Sequence, residues 1–135
     1  MFRKKDDAKV LGRIDSLIGA GTCISGEVRF SGGLRIDGEV KGAVMAAEGA
    51  SMSTLVLSEQ ARVEGAVCVA HLVVNGTIVG PVTVTDSLEM QSRARIVGDV
   101  SYAMIEMHQG AVIEGRLDRS SGGGKSEELK SPELN

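Results

Sequence analysis

Aromatic residues are nearly absent from this sequence. Phe2, Phe30 and Tyr102 are the three that occur in 135 residues, and there is no tryptophan. A core built on large rings is therefore excluded. Proline is also scarce, with 2 residues, whereas glycine is frequent, with 18. Linker-like chains are usually rich in both, so this imbalance argues against a linker, and the 42% of hydrophobic residues is typical of a globular chain.

Several other features are missing as well. The 15 basic and 18 acidic residues give a net charge of -3, which argues against nucleic acid as a partner. The longest nearly apolar run, residues 66–74, is interrupted by His71 and has about half of the ~18 residues that a membrane-spanning helix needs. No secretory signal is expected, because the basic residues 3–5 lead into two aspartates. Cys23 and Cys68 lie far apart, which predicts two free thiols in a reducing compartment.

An internal repeat is the strongest pattern in the chain. Residues 55–67, 88–100 and 105–117 share one spacing: apolar-x-apolar, three further residues, Ala, x, Val or Ile, x, Gly, x, and a final apolar residue. Two shorter segments, 34–40 and 72–78, drop the spacer, and a degenerate copy ends at residues 22–28. Six units therefore follow one another, most of them about 17 residues long.

Apolar and polar residues alternate within every unit, which is the period of a half-buried strand. A repeat of this length is too short for a strand-helix-strand crossover. We therefore predict an all-β, single-domain β-solenoid of about six coils, each coil being one repeat unit. A meander of hairpins would explain the alternation but not the identical spacing of three distant copies. The recurring glycines are expected to turn the corners, with positive φ and close backbone approach; they are residues 26, 38, 65, 76, 98 and 115.

No catalytic or metal-binding constellation is found in the sequence. His71 and His108 are the only histidines, so a three-histidine zinc site cannot form within one chain, and both are expected at the surface or at a corner. Cys23 and Cys68 have no basic residue arranged to lower their pKa and are interpreted as structural thiols. Acidic and basic residues alternate along the units, which predicts a solvated ladder of charges. We expect no enzyme activity, no cofactor and no nucleotide.

The two ends of the predicted solenoid carry its expected function. Solenoids normally close their terminal coils with a helix or a polar cap, because an open coil presents unpaired strand edges and apolar interior. Nothing in the sequence is typical of such a cap, so Ile24 and Val28 at one end and Ile113 and Leu117 at the other are candidate polymer contacts. Open ends with matching cross-sections predict end-to-end stacking into filaments. Both polar and non-polar filaments are compatible with the sequence.

The chain is predicted to have three parts. Residues 1–15 form a flexible N-terminal segment, residues 16–118 the β-helix domain, and residues 119–135 a disordered tail rich in Ser, Gly and charge. Within the first segment, an apolar pair stands beside a basic cluster. Such a peptide can contact an anionic lipid surface, and the candidate membrane-contact residues are Met1, Phe2, Arg3, Lys4 and Lys5.

Residues 18–26, 33–42 and 94–100, with their recurring Ile-x-Gly and Gly-x-Val steps, resemble the bactofilins, which are bacterial polymer-forming cytoskeletal proteins. The resemblance covers residues 16–118. It implies a right-handed triangular β-helix with disordered termini that polymerises without nucleotide. It also implies attachment of the N-terminus to the cytoplasmic face of the inner membrane, and a scaffold role for a peptidoglycan synthase or hydrolase in cell shape.

One alternative belongs to a different class of protein. The spacing of Leu57, Ala61, Val63 and Val67 also fits the hexapeptide repeat of left-handed β-helix acyltransferases and related carbonic anhydrases. Those enzymes act at trimer clefts through a histidine on a protruding loop or through three zinc-binding histidines. The sequence has no such loop insertion, which makes this the weaker hypothesis.

Overall fold

A computed structural model describes residues 14–49 and 52–120 of the chain. Within these two ranges the protein contains sixteen β-strands and no helix. The predicted membrane-contact residues 1–5 and most of the predicted C-terminal tail lie outside the described residues.

The strands form three faces, and each face contains one strand or strand segment from each of six coils. On face 1 lie β1 (Ser16–Ile18), β4 (Gly32–Ile36), β7 (Ser53–Leu57), the second halves of β9 (Val67–Val74) and β11 (Val82–Met90), and β14 (Met104–Met107). On face 2 lie β2 (Cys23–Ser25), β5 (Glu39–Lys41), β8 (Arg62–Glu64), β10 (Thr77–Val79), β12 (Arg95–Val97) and β15 (Val112–Glu114). On face 3 lie β3 (Val28–Phe30), β6 (Val44–Ala46), the first halves of β9 and β11, β13 (Val100–Tyr102) and β16 (Leu117–Arg119).

The strands of coils 2 to 5 pair in parallel with the coil before and the coil after, and those of coils 1 and 6 pair in parallel with one neighbouring coil. The six coils comprise residues 16–30, 32–46, 53–69, 71–84, 87–102 and 104–119. The predicted all-β solenoid of six coils is therefore confirmed. A hairpin meander is excluded for the described residues, because hairpins would give antiparallel pairs.

The core consists of columns of aliphatic side chains that run along the axis of the solenoid. On face 2 the register aligns one column through all six coils: Ile24, Val40, Val63, Ile78, Ile96 and Ile113. On face 3 the matching column is Val28, Val44, Val67, Val82, Val100 and Leu117. The middle members of both columns are buried. Each buried side chain packs between the equivalent side chains of two neighbouring coils, so the stability of a coil depends on both neighbours.

The corner between face 1 and face 2 has two lengths. Coils 1, 3, 5 and 6 turn through four residues, and a backbone hydrogen bond from the fourth to the first closes each of these turns: 19–22, 58–61, 91–94 and 108–111. Coils 2 and 4 turn through only two residues, 37–38 and 75–76. This difference is the physical origin of the long and short repeats in the sequence.

The glycine prediction was correct for four of its six positions. Gly26, Gly65, Gly98 and Gly115 do adopt positive φ and align in one column at the corner between faces 2 and 3. The other two members of this column are Gly42 and Gly80, with φ of 153° and 145°. Along most of the column, a Cβ on one glycine would collide with the carbonyl of the glycine one coil earlier.

Gly38 and Gly76 do not belong to this column, and the expectation of positive φ for them is wrong. They occupy the two short corners instead. A side chain there would collide with backbone carbonyls of the long corner in the preceding coil, Gly19 and Thr22 for Gly38 and Ser58 and Ala61 for Gly76. Glycine is required at these positions by close approach and not by backbone conformation.

Candidate functional site at the ends of the solenoid

The last coil exposes side chains that the repeat places inside the other coils. Leu117 is 46% exposed, whereas Val100, its partner in the same column one coil earlier, is 0% exposed. Ile113 is half-buried, although Ile96 next to it is fully buried. Met107 is exposed as well, although its register partner Met90 is fully buried. Met104 and Val112 are exposed apolar side chains at outward positions, opposite Ser87 and Arg95. The apolar interior therefore reaches the surface at the C-terminal end of the described solenoid.

The first coil shows a milder form of the same arrangement. Ile24 and Val28 are half-buried and pack against the core, whereas Leu17, which is 60% exposed, lies at an outward position opposite Arg35. Phe30, the single phenylalanine within the described ranges, is almost fully buried. Its ring fills part of the interior in coil 1, so the N-terminal end presents less of its core than the C-terminal end.

The terminal strands also leave backbone groups without a strand partner. In face 2, β2 and β15 are the first and last strands of a continuous parallel sheet. Parallel strands bond to both neighbours when they lie inside a sheet, and an edge strand retains one row of free N–H and C=O groups. Within the described residues, each end of the solenoid therefore combines apolar side chains with strand edges that can accept another strand.

The sides of the solenoid carry the predicted charge ladder. Arg35 Nε donates to Asp37 at 2.9 Å, Arg62 Nε donates to Glu64 at 2.7 Å, and Arg95 Nη2 donates to Glu114 at 2.5 Å. The hydrogen bond from Arg35 lowers the pKa of Asp37, and that from Arg62 lowers the pKa of Glu64. These pairs are exposed, and pairs of this kind contribute little to stability.

His71 lies at a corner, as expected, and makes contacts that the sequence did not indicate. Its Nδ1 lies 2.9 Å from Ser87 Oγ, and its Nε2 lies 3.5 Å from Asp86 Oδ2. The register between coils 4 and 5 shifts here, which places Asp86 beside the ring. In hydrolase triads the serine contacts Nε2 and the carboxylate contacts Nδ1, so this arrangement is reversed. The contacts join two successive corners.

His108 is exposed and lies between two glutamates of neighbouring coils. Its Nε2 is 3.3 Å from Glu89 and 3.4 Å from Glu106, and these two glutamates are register partners in β11 and β14. The three ligand-type atoms lie within 4.8 Å of one another. Sequence reasoning missed this group, because the two glutamates are 17 residues apart and meet only through the stacking of coils 5 and 6.

The two thiols are free, as predicted, and both are exposed. Cys23 lies on face 2 of coil 1, and Cys68 lies on face 3 of coil 3. Neither approaches the other, because they lie on different faces.

The described residues form a β-solenoid that concentrates its accessible apolar groups at its two ends, a class of fold suited to association between copies. The model of the bactofilin family, described as polymer-forming cytoskeletal, matches residues 16–118. The chain belongs to the bactofilin family. Bactofilins are structural proteins of the cytoskeleton and not enzymes, so the acyltransferase hypothesis is set aside.

Two curated relatives from Myxococcus xanthus (strain DK1622) are similar to this chain. Bactofilin BacP is 28% identical over 104 residues, and bactofilin BacO is 27% identical over 104 residues. The match covers 77% of this chain in both cases, but 41% of BacP and 79% of BacO. This chain therefore spans less than half of the length of BacP. No solved structure matches the chain. No helix among the described residues is long and apolar enough to cross a membrane.

Proposed function

We propose that this chain assembles end to end into filaments without a nucleotide. The observation that supports the proposal is the 46% exposure of Leu117 at a position that is buried in the preceding coils. A second copy stacked on this end would continue the apolar columns and remove Leu117 and Ile113 from water, which is favourable in proportion to the apolar area buried. Contacts between like ends and between unlike ends both satisfy this requirement.

The test is a charge placed in the proposed contact. We expect Leu117→Arg and Ile113→Arg to abolish filaments in negative-stain electron microscopy and in sedimentation, because an arginine in an apolar interface loses its hydration. Thr83→Arg is the matched control, since Thr83 is exposed in the middle of face 3 and far from both ends. The wild-type chain should form filaments with no ATP or GTP present.

Circular dichroism separates an effect on assembly from an effect on folding. The two end variants are expected to retain the β-rich spectrum of the wild type. Filaments of normal length from Leu117→Arg would refute the proposed contact, and loss of the β-rich spectrum together with the filaments would assign these residues to the core alone. Wild-type protein that remains monomeric across salt and pH would refute assembly itself.

The filaments are proposed to lie on the cytoplasmic face of the inner membrane. The supporting feature is the sequence of residues 1–5, in which Met1 and Phe2 are followed by three cations. Each cation near an anionic bilayer contributes about 1 kcal/mol, so a single peptide binds weakly and many copies on one filament bind strongly.

Flotation with vesicles that contain anionic lipid tests membrane attachment. Deletion of residues 1–5 should leave the filaments intact and in the dense fraction. Leu117→Arg keeps the N-terminal residues but should float poorly, because a chain that does not assemble contacts the membrane through a single peptide. Flotation of the deletion variant at the wild-type level would exclude the peptide as the anchor.

A filament attached in this way is suited to act as a scaffold for a cell-wall synthase or hydrolase, and so to influence cell shape. In cells, the recruited enzyme should follow the filament and disperse in a strain carrying Leu117→Arg. An unchanged distribution of cell-wall synthesis and unchanged shape in that strain would refute the scaffold role.

A further inference from the structure

The alternation of long and short corners produces two equivalent notches in the edge between faces 1 and 2. Adjacent coils are about 4.8 Å apart, so two long corners separated by one coil are about 10 Å apart. The short corner of coil 2 lies recessed between the long corners of coils 1 and 3, and the short corner of coil 4 lies recessed between those of coils 3 and 5. The same type of notch therefore occurs twice in the fold, and the notch at coil 2 can be compared with the notch at coil 4.

The notch at coil 4 is closed by an arginine. Arg93 belongs to the long corner of coil 5, and its Nε reaches back to Glu59 Oε1 of coil 3 at 3.3 Å. The backbone N–H of Arg93 also donates to Asn75 Oδ1, in the short corner, at 2.9 Å. The arginine side chain therefore bridges the two long corners across the short one.

The notch at coil 2 lacks this bridge and is open. The positions equivalent to Glu59 and Arg93 are Ala20 and Gln60, which cannot form an ion pair. What remains is a cavity of about 350 Å³, which we call the open notch. The lining residues that matter here are Ala20, Cys23, Asp37, Glu39, Gln60 and Arg62.

The charges of the open notch favour a cation. Asp37 is held in its ionised form by Arg35, and Arg62, the one basic residue of the lining, is already paired with Glu64 at 2.7 Å. The half-buried carboxylate of Glu39 has no hydrogen-bond or ion-pair partner among the residues that the structure describes. Arg62 is the register neighbour of Glu39, but its guanidinium is held by Glu64, so Glu39 is the carboxylate of the lining without an ion pair.

We propose that the open notch binds an arginine side chain of a partner protein, held by Glu39 because the counterpart of Glu59 in this notch is Ala20. A guanidinium fits because it is planar and donates in several directions, to Glu39 and to the acceptors of the corners. This inference goes beyond assembly, since the notch lies within coils 1–3 of one chain. A single notch binds weakly, and if the chain forms filaments as proposed, a partner with several arginines gains avidity from the repeated notches.

The free thiols supply an internal readout of occupancy. Cys23 lines the open notch, and Cys68 lies on face 3, so alkylation of the two can be compared in one sample by mass spectrometry. The probe is a short Gly/Ser peptide with one arginine, used with the full-length chain, and the matched control peptide carries citrulline, which has nearly the same shape without the charge. We expect the arginine peptide at its Kd to reduce the alkylation rate of Cys23 about twofold, with Cys68 unchanged. The citrulline peptide should have no effect, and sedimentation verifies that assembly is unaltered.

Two variants sharpen the test. Ala20→Glu combined with Gln60→Arg transplants the bridge of the closed notch, so Cys23 should be alkylated slowly without peptide and the peptide should add nothing. Glu39→Gln should abolish protection by the arginine peptide. Both changes lie on the surface, and circular dichroism checks that the fold is retained.

Three outcomes would overturn the proposal. Equal effects of the arginine and citrulline peptides would show that no guanidinium is recognised. Unchanged alkylation of Cys23 at every peptide concentration would show that the notch does not bind. Faster alkylation of Cys23 when Arg3, Lys4 and Lys5 are replaced by alanine, with no peptide present, would show that the notch is occupied by the chain itself. Cys23 lies on the terminal strand β2 beside the proposed polymer contact Ile24, so these measurements are made in the Leu117→Arg variant, in which assembly is expected to be absent.

Discussion

The middle coils and the end coils are built from the same repeat but differ in what surrounds it. In coils 2 to 5 each inward side chain has an equivalent side chain above and below, and these positions are buried almost without exception. In coils 1 and 6 the described structure supplies a neighbour on one side only, and there the inward side chains of Ile24 and Ile113 are half-buried and that of Leu117 is exposed. Hence the same sequence rule stabilises the fold in the middle and creates contact surface at the ends. Two copies that meet end to end would convert end coils into middle coils.

The glycine column gives the largest expected difference between middle and end. Gly98→Ala places a Cβ against the carbonyl of Gly80 and also strains a φ of 145°. We expect a loss of about 4 kcal/mol in the free energy of unfolding. Gly26→Ala is the matched variant, because Gly26 has a φ of 128° in the same column but no atom within 4 Å of the added Cβ. Backbone strain alone should cost about 1–2 kcal/mol there.

Denaturant unfolding of both glycine variants measures the two costs. It is best done in the Leu117→Arg variant, so that assembly does not add to the apparent stability. Equal losses for Gly98→Ala and Gly26→Ala would mean that backbone conformation, and not the stacking of coils, requires glycine in this column.

The aliphatic column of face 2 provides the next test of the comparison. Ile78→Ala leaves a cavity at a position that is fully buried between two coils, and we expect a loss of about 3 kcal/mol. Ile113→Ala truncates a half-buried side chain with one neighbouring coil, and its cost should be about 1 kcal/mol or less. Similar losses for the two variants would contradict the view that coil 6 is only half supported.

Much of this fold is readable from the sequence because one spacing is repeated. Units at 55–67, 88–100 and 105–117 predict the strands and the inward columns, since alternation and period fix both. The glycine assignment failed at Gly38 and Gly76 because parity in one unit does not reveal which corner a residue occupies. In the short units the second glycine, Gly42 or Gly80, continues the column.

The contacts between coils are the part that the sequence does not show. Arg93 and Glu59 are 34 residues apart, and only the recessed corner of coil 4 brings them together. The open notch has the same origin, as it depends on a short corner between two long ones. The sequence does show that some units are shorter than others. It does not show that the short corner of coil 2 lies between the long corners of coils 1 and 3, which depends on how the coils stack.

The smallest expected effect concerns acid stability at the short corner of coil 2. The pKa of Asp37 is lowered from its usual 3.8 by Arg35, so the folded chain holds the proton less tightly than the unfolded chain. Asp37 therefore contributes stability that is present above pH ~4 and is lost as the pH falls through its lowered pKa. The contribution is small, because the pair is exposed to solvent.

Asp37→Asn should remove this part of the pH dependence, and the equivalent residue of coil 4, Asn75, indicates that the corner accepts the amide. Denaturant midpoints at about pH 6 and pH 3 measure the effect; the same loss of stability on acidification in the variant and the wild type would show that the ion pair with Arg35 does not contribute to folding.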